Sequence, residues 1–136
     1  MDDMLSADNA ATDNAVHSQT DGFDHITAAD ISRLLVEHKG REVVALDLRS
    51  LNAWTDFFVI ASVTSAVHMQ GLERQIKEFC HSRGIEIVRA STNPSSLDEE
   101  WKLIDLGTIA IHLMTEKARS FYELERLWSQ AKTMPL

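Results

Sequence analysis

Trp101-Lys102-Leu103-Ile104-Asp105-Leu106-Gly107-Thr108-Ile109-Ala110-Ile111-His112-Leu113-Met114 is the stretch whose reading decides the fold. Two β-rich runs flank a lone glycine, the pattern of a tight hairpin in which Gly107 supplies the positive φ. A turn centred on Leu106-Gly107 pairs Ile104 with Ile109, and one centred on Gly107-Thr108 pairs Ile104 with Ile111. Because strand side chains alternate between faces, both registers divide the hairpin in the same way. Ile104, Ile109, Ile111 and Leu113 fall on one face; Trp101, Leu103, Asp105, Ala110, His112 and Met114 fall on the other. The first set is a natural floor for helices. The second mixes large apolar with ionisable side chains, and with the helices on the first face it is expected to stand open as an interaction surface.

Outward from the hairpin, the chain punctuates itself. Thr27 is placed to cap a helix, with Asp30 three residues later in the capping-box position. Ile31, Leu34 and Leu35 mark its apolar face, and Gly40 its end. Val43 to Leu48 reads as a strand. Phe57 to Thr64 is almost continuously apolar, as expected of a strand covered on both faces in the middle of a sheet. Ser65 caps a second helix through Met69, Leu72, Ile76 and Phe79 to Arg83, closed by Gly84. Ile85 to Arg89 reads as a strand, and Ser91 to Glu100, with Pro94, as a loop. Thr115 caps a last helix with Phe121, Leu124, Trp128 and Ala131 on its core face and Leu127 beside it, and Pro135 ends it. This order implies an α+β domain, a single mixed β-sheet of about five strands with helices mainly on one face.

The 136 residues fit one domain, with 44% hydrophobic content. Residues 1–24, rich in Asp, Asn, Ala, Ser and Thr, read as a disordered acidic tail, and residues 25–133 as the folded domain. Twenty-one acids against 13 bases give a net charge of −8. That balance disfavours direct binding of nucleic acid and suits a basic protein partner. The single cysteine, Cys80, sits in an apolar helical pattern and reads as core. No apolar run approaches the roughly 20 residues needed to span a bilayer. The acidic N-terminus resembles neither a secretory nor a transit signal, so a cytoplasmic protein is expected.

Asp105 and His112 share a strand face and form a candidate acid–base pair, with Ser65 or His68 near. Catalytic constellations need a concave site, however, and a hairpin face is flat. A metal site of His68, His112 and Asp105 lacks a helical His-x-x-x-His or a cysteine pair. Nucleotidyl transfer would need paired strand carboxylates for Mg²⁺; two residues beyond Asp47 stands Arg49. No cofactor, metal or catalytic residue is therefore assigned; a small hydrolase or transferase using Asp105 and His112, and a protein-interaction module of unspecified target, stay open as alternatives. Asp56 reads as a strand-start residue and Ser65 as a cap. Arg119 and Glu123 are spaced for an ion pair, and Tyr122 and Arg126 for stacking.

Thr55-Asp56-Phe57-Phe58-Val59-Ile60-Ala61, Ser65 with His68, Trp101-Lys102-Leu103-Ile104-Asp105-Leu106-Gly107, His112 and Arg119-Ser120-Phe121-Tyr122-Glu123-Leu124-Glu125-Arg126-Leu127-Trp128, in this order, resemble the ribosomal silencing factor family, also called RsfS or Iojap. The resemblance runs from about Ile26 to Ser129. It implies a fold like a nucleotidyltransferase domain that has lost its chemistry. It further implies binding to ribosomal protein L-fourteen on the large subunit, which blocks joining of the small subunit and lowers translation under nutrient limitation. The residues expected to meet that partner are Trp101, Leu103, Asp105, Ala110, His112 and Met114, with Asp56, Ser65 and His68 bordering them. A bare sheet face or edge can also pair with a second copy, so a homodimer is open.

Overall fold

A computed structural model describes residues 24–92 and 100–135. The expected tail, apart from Asp24, and most of the 91–100 loop, including Pro94, lie outside the described residues. Helix α1 covers 24–37 and precedes strand β1 (Arg41–Asp47) and strand β2 (Phe57–Val63). Helix α2 (Ala66–Arg83) leads to β3 (Arg89–Thr92), β4 (Trp101–Asp105) and β5 (Ile109–Thr115). Two short helices, α3 (Glu116–Tyr122) and α4 (Leu124–Leu127), and a two-residue strand β6 (Lys132–Thr133) follow.

The strands form one six-stranded sheet in the order β3-β4-β5-β2-β1-β6. It is mixed: β2 and β5 run parallel, and the other pairs run antiparallel. Every residue of β2 is buried, which places the continuously apolar run at the centre as its composition requires. The hairpin takes the register that pairs Ile104 with Ile111. Its turn is Gly107-Thr108, closed by Leu106 N–H donating to Ile109 O at 2.8 Å, with Gly107 at φ 96°.

The two long helices share one face of the sheet. Ile31 and Leu35 of α1 and Met69, Leu72, Ile76 and Cys80 of α2 pack over Val59, Ile104, Ile109, Ile111 and Leu113. The expected floor of Ile104, Ile109, Ile111 and Leu113 is thus the core of the domain. Ser65 caps α2 by accepting from His68 N–H at 3.0 Å, and Gly84, at φ 67°, terminates it. Asp30 of α1 ties the two helices together by meeting Arg83 of α2 at 3.3 Å, and Arg33 of its own helix pairs with it at 2.7 Å.

Several boundaries differ from the pattern. Helix α1 is already formed at Asp24, so Thr27 is a buried residue inside it rather than its cap. At its end Lys39 takes the positive φ of 71°, while Gly40 serves close packing: a Cβ there would sit 2.9 Å from Leu35 O. The third strand begins at Arg89, where the expected one ends. Ile85 and Ile87 still pack against the core, and Val88 N–H donates to Asp105 O at 2.8 Å just ahead of the strand.

The last helix departs most. It breaks at Glu123, which adopts a left-handed φ of 49°, and the chain continues as α4 and then as β6 on the far edge of the sheet. Phe121, within α3, points outward and is 77% exposed, although its spacing assigns it to the core. Leu124 is buried and Trp128 half-buried, as the same spacing requires.

Candidate functional site

The second sheet face is not bare. Leu46, Phe58, Ile60, Ala110 and Met114 form its floor, and Ala118, Tyr122, Leu124 and Trp128 of the C-terminal segment lie over it together with Leu51 and Ala53 of the β1–β2 connection. The cause is the break at Glu123: a continuous helix would run off in one direction, whereas two short ones fold back across the sheet. Ala110 and Met114, expected at a partner surface, are wholly buried, and His112 is 3% exposed. They support the face from beneath, so the exposure expected of them is not found. Trp101 and Leu103 remain half-buried, at the side of this cover.

Around them runs a connected set of aromatic rings. Trp101 packs on Tyr122 at 4.6 Å and lies 5.9 Å from His112; His112 meets Phe58 edge-on at 4.5 Å. Phe58 in turn touches Trp128 and Trp54, each at 5.8 Å, and Tyr122 touches Phe121 at 4.9 Å. Two members of this set stand in water, Trp54 at 53% and Phe121 at 77% exposure, and Leu127 of α4 is 73% exposed. Ile26, Val36, Val67 and Val88 are exposed elsewhere on the domain, so what distinguishes this side is not exposure alone but the connected aromatic set. None of Trp54, Phe121 and Leu127 was marked as a contact residue by the strand pattern. Phe121 and Leu127 carry helical spacing that reads as core, and Trp54 lies in a connection with no period at all.

The polar residues of the same face are engaged. The Asp105 carboxylate, 8% exposed as a residue, accepts from Gly107 N–H at 2.8 Å and lies 3.6 Å from Arg89 Nη2, so it holds the hairpin turn. His112 Nδ1 accepts from Trp101 Nε1–H at 3.1 Å. Burial pushes the His112 imidazole down to about 4, so it is neutral near pH 7. The two groups of the candidate acid–base pair, Asp105 and His112, therefore each have a structural partner of their own. Among the described residues no three His, Cys, Asp or Glu side chains converge as metal ligands. The Asp47 carboxylate is gripped by Arg49 at 2.7 Å, and that hydrogen bond holds it below the usual carboxylate range.

The bordering residues divide. Asp56 joins the β1–β2 connection to the hairpin through its backbone, accepting from Leu48 N–H at 2.8 Å and donating to Thr108 O at 3.0 Å. Ser65 and His68 belong instead to the junction of α1 and α2. His68 Nδ1 accepts from Thr64 N–H at 3.1 Å, which leaves Nε2 to donate to His38 O at 3.1 Å.

Arg119 was read as half of a surface pair with Glu123; it is buried. Its guanidinium meets Glu125 in a two-pronged bridge at 2.8 and 3.2 Å and donates to Ser62 Oγ at 3.0 Å and to Arg41 O at 3.4 Å. Arg126 pairs with Glu123 at 3.4 Å, and Tyr122 stacks on Trp101 rather than on Arg126. Arg119 is thus the pin that fastens α3 and α4 to the sheet, near the irregular register of β1 between Arg41 and Val44. The six-residue spacing to Glu125 follows no helical rule, so nothing in the pattern marks it.

Charge is unevenly placed. Residues 1–24 hold 6 of the 21 acids and no Lys or Arg, leaving 15 acids against 13 bases over 25–136. The acid excess expected to attract a basic partner therefore resides mainly in the N-terminal segment, and the domain itself is close to neutral. No helix among the described residues is long and apolar enough to cross a membrane.

A family model described as ribosomal silencing factor during starvation matches residues 23–136. The chain is 33% identical over 100 residues to a ribosomal silencing factor RsfS of Halalkalibacterium halodurans, which covers 74% of this chain and 83% of that protein. It is 25% identical over 109 residues to the chloroplastic protein Iojap of Zea mays, covering 80% of this chain and 46% of that one. A crystal structure of a Bacillus halodurans protein superposes with a TM-score of 0.65 at 29% identity, covering 79% of this chain and 96% of that one.

Proposed function

This chain belongs to the ribosomal silencing factor family, whose members are ribosome-associated regulators of translation, and we propose that it represses translation by docking on the large ribosomal subunit. In this reading the protein binds ribosomal protein L-fourteen through the aromatic cover and margin of its second sheet face, and its bulk there blocks joining of the small subunit when nutrients are scarce. Blocking requires only occupancy, so no reacting group is invoked. The observation that carries the reading is the connected aromatic set that runs from Trp54 through Phe58, His112, Trp101 and Tyr122 to Phe121 and is exposed at both ends. Contact with RNA is minor in this reading, because the domain has no excess of Lys and Arg. The acidic residues of 1–24 would speed encounter with a cationic surface, while the aromatic rim would slow departure.

Binding of purified L-fourteen protein tests this directly. An aromatic anchor at the centre of an interface contributes about 2 kcal/mol, so Trp101→Ala should weaken binding about 30-fold. Trp101 also packs on Tyr122 and His112, so its truncation costs the fold something as well. Phe121→Ser and Leu127→Ser remove exposed groups and should weaken binding with stability unchanged. Sedimentation gives the activity: added protein should raise free subunits at the expense of joined ribosomes, and the three variants should not. Full affinity in all three would refute the assignment of this face.

A further inference from the structure

We propose that His112 is a positioning residue that holds the Trp101 indole in one orientation for docking, an inference that rests on the reading of this face given above. The two side chains are diagonal neighbours: Leu103 stands opposite His112 across β4 and β5, and Trp101 stands opposite Met114. The indole Nε1–H is tied to His112 Nδ1 at 3.1 Å, and the indole packs against Tyr122 at 4.6 Å. The imidazole itself cannot shift, because Phe58 meets it at 4.5 Å and Leu103 and Ile60 are its partners on the two adjacent strands.

The chemistry of the ring argues that this bond is its purpose. With Nδ1 accepting, a neutral imidazole carries its proton on Nε2. That Nε2 is buried and has no hydrogen-bond partner among the described residues. A buried donor left unpaired lowers stability, so a residue serving only to fill space between Phe58 and Trp101 would be better apolar. What histidine adds over phenylalanine here is one acceptor, and it is aimed at Trp101. Trp101 is only half-buried, so packing alone does not fix its orientation. The bond instead selects one indole rotamer from several. A contact residue already locked in its bound orientation loses less freedom on association.

Asparagine and phenylalanine separate positioning from packing. His112→Asn puts a carbonyl oxygen where Nδ1 now accepts, at the expense of volume; His112→Phe keeps the volume and removes the acceptor. The full chain, labelled with ¹⁵N, reports the Trp101 indole N–H resonance, and titration with purified L-fourteen protein reports affinity. In the parent and in His112→Asn that resonance should be shifted downfield and slow to exchange; in His112→Phe it should move to the free-indole position, and affinity should fall about 5- to 10-fold. In a Trp101→Phe background, which has no N–H to hold, His112→Phe should change affinity no further. If packing alone mattered, His112→Asn would bind worse than His112→Phe, and that ranking would overturn the proposal, as would an unmoved indole resonance in His112→Phe. Parent-like affinity in Trp101→Ala would instead remove the docking reading itself, a result distinct from failure of His112 alone.

Discussion

Replacing Arg119 with methionine should unfasten the C-terminal cover, and the loss can be worked from its partners. Arg119 is 8% exposed and makes four hydrogen bonds: two to Glu125, one to Ser62 Oγ and one to Arg41 O. The Glu125 side chain is 39% exposed, so water can replace the guanidinium there, and that bridge is worth at most about 1 kcal/mol. Ser62 is wholly buried, and leaving its oxygen without a donor costs about 1–3 kcal/mol. Returning a guanidinium to water on unfolding no longer counts against the folded state, which offsets part of the sum. Methionine fills much of the aliphatic volume, so the cavity contribution is small. The net expectation is about 2 kcal/mol lost, measured by urea denaturation. The double variant Arg119→Met with Ser62→Ala removes both ends of the buried bond and should be no less stable than Arg119→Met alone. If the double variant instead fell by the sum of the two single losses, Ser62 and Arg119 would be acting independently and the pin would be misassigned.

Acid should weaken the fold through His112. Its folded value of about 4 lies below the ordinary 6.5, so the unfolded chain takes up a proton that the folded chain refuses. Stability is therefore full above about pH 6.5 and falls as pH drops toward 4, by about 2–3 kcal/mol. The drop in urea midpoint between pH 7 and pH 4.5 should be much smaller in His112→Asn, and equal drops would contradict a neutral buried ring. The Asp47 contribution, from a carboxylate held low by Arg49, is lost only at still lower pH, as that group protonates. At the hairpin turn, Gly107→Ala should cost about 1 kcal/mol or more, because φ is 96° while the nearest atom to an added Cβ, on Val88, is an ordinary 3.8 Å away. Thermal unfolding that left this variant as stable as the parent would place Gly107 outside the positive-φ position.

Period and punctuation determined much of this protein before any coordinates. The central strand Phe57–Val63 was legible because seven successive buried residues need cover on both sides. The cap at Ser65, the stop at Gly84, the hairpin at Gly107 and the isoleucine floor beneath the helices all follow from local rules. The resemblance carried by Trp101 to Gly107 and by Arg119 to Trp128 pointed to the family that the 23–136 match shows. Tertiary structure alone decided where the chain goes after Thr115. Thr115 caps α3 as its sequence position suggests, accepting from Ala118 N–H at 3.1 Å, but helical spacing continues straight through Glu123 and hides the break. The break is sustained by Arg119, whose partners Ser62 and Arg41 lie 57 and 78 residues away. No local pattern encodes such a bond, because its energy depends on burial and geometry that exist only once the sheet has formed. With α3 and α4 fastened by that long-range pin, Ala110, His112 and Met114 are buried while Phe121 and Leu127 stay exposed, a division that strand alternation and helical spacing alone do not give.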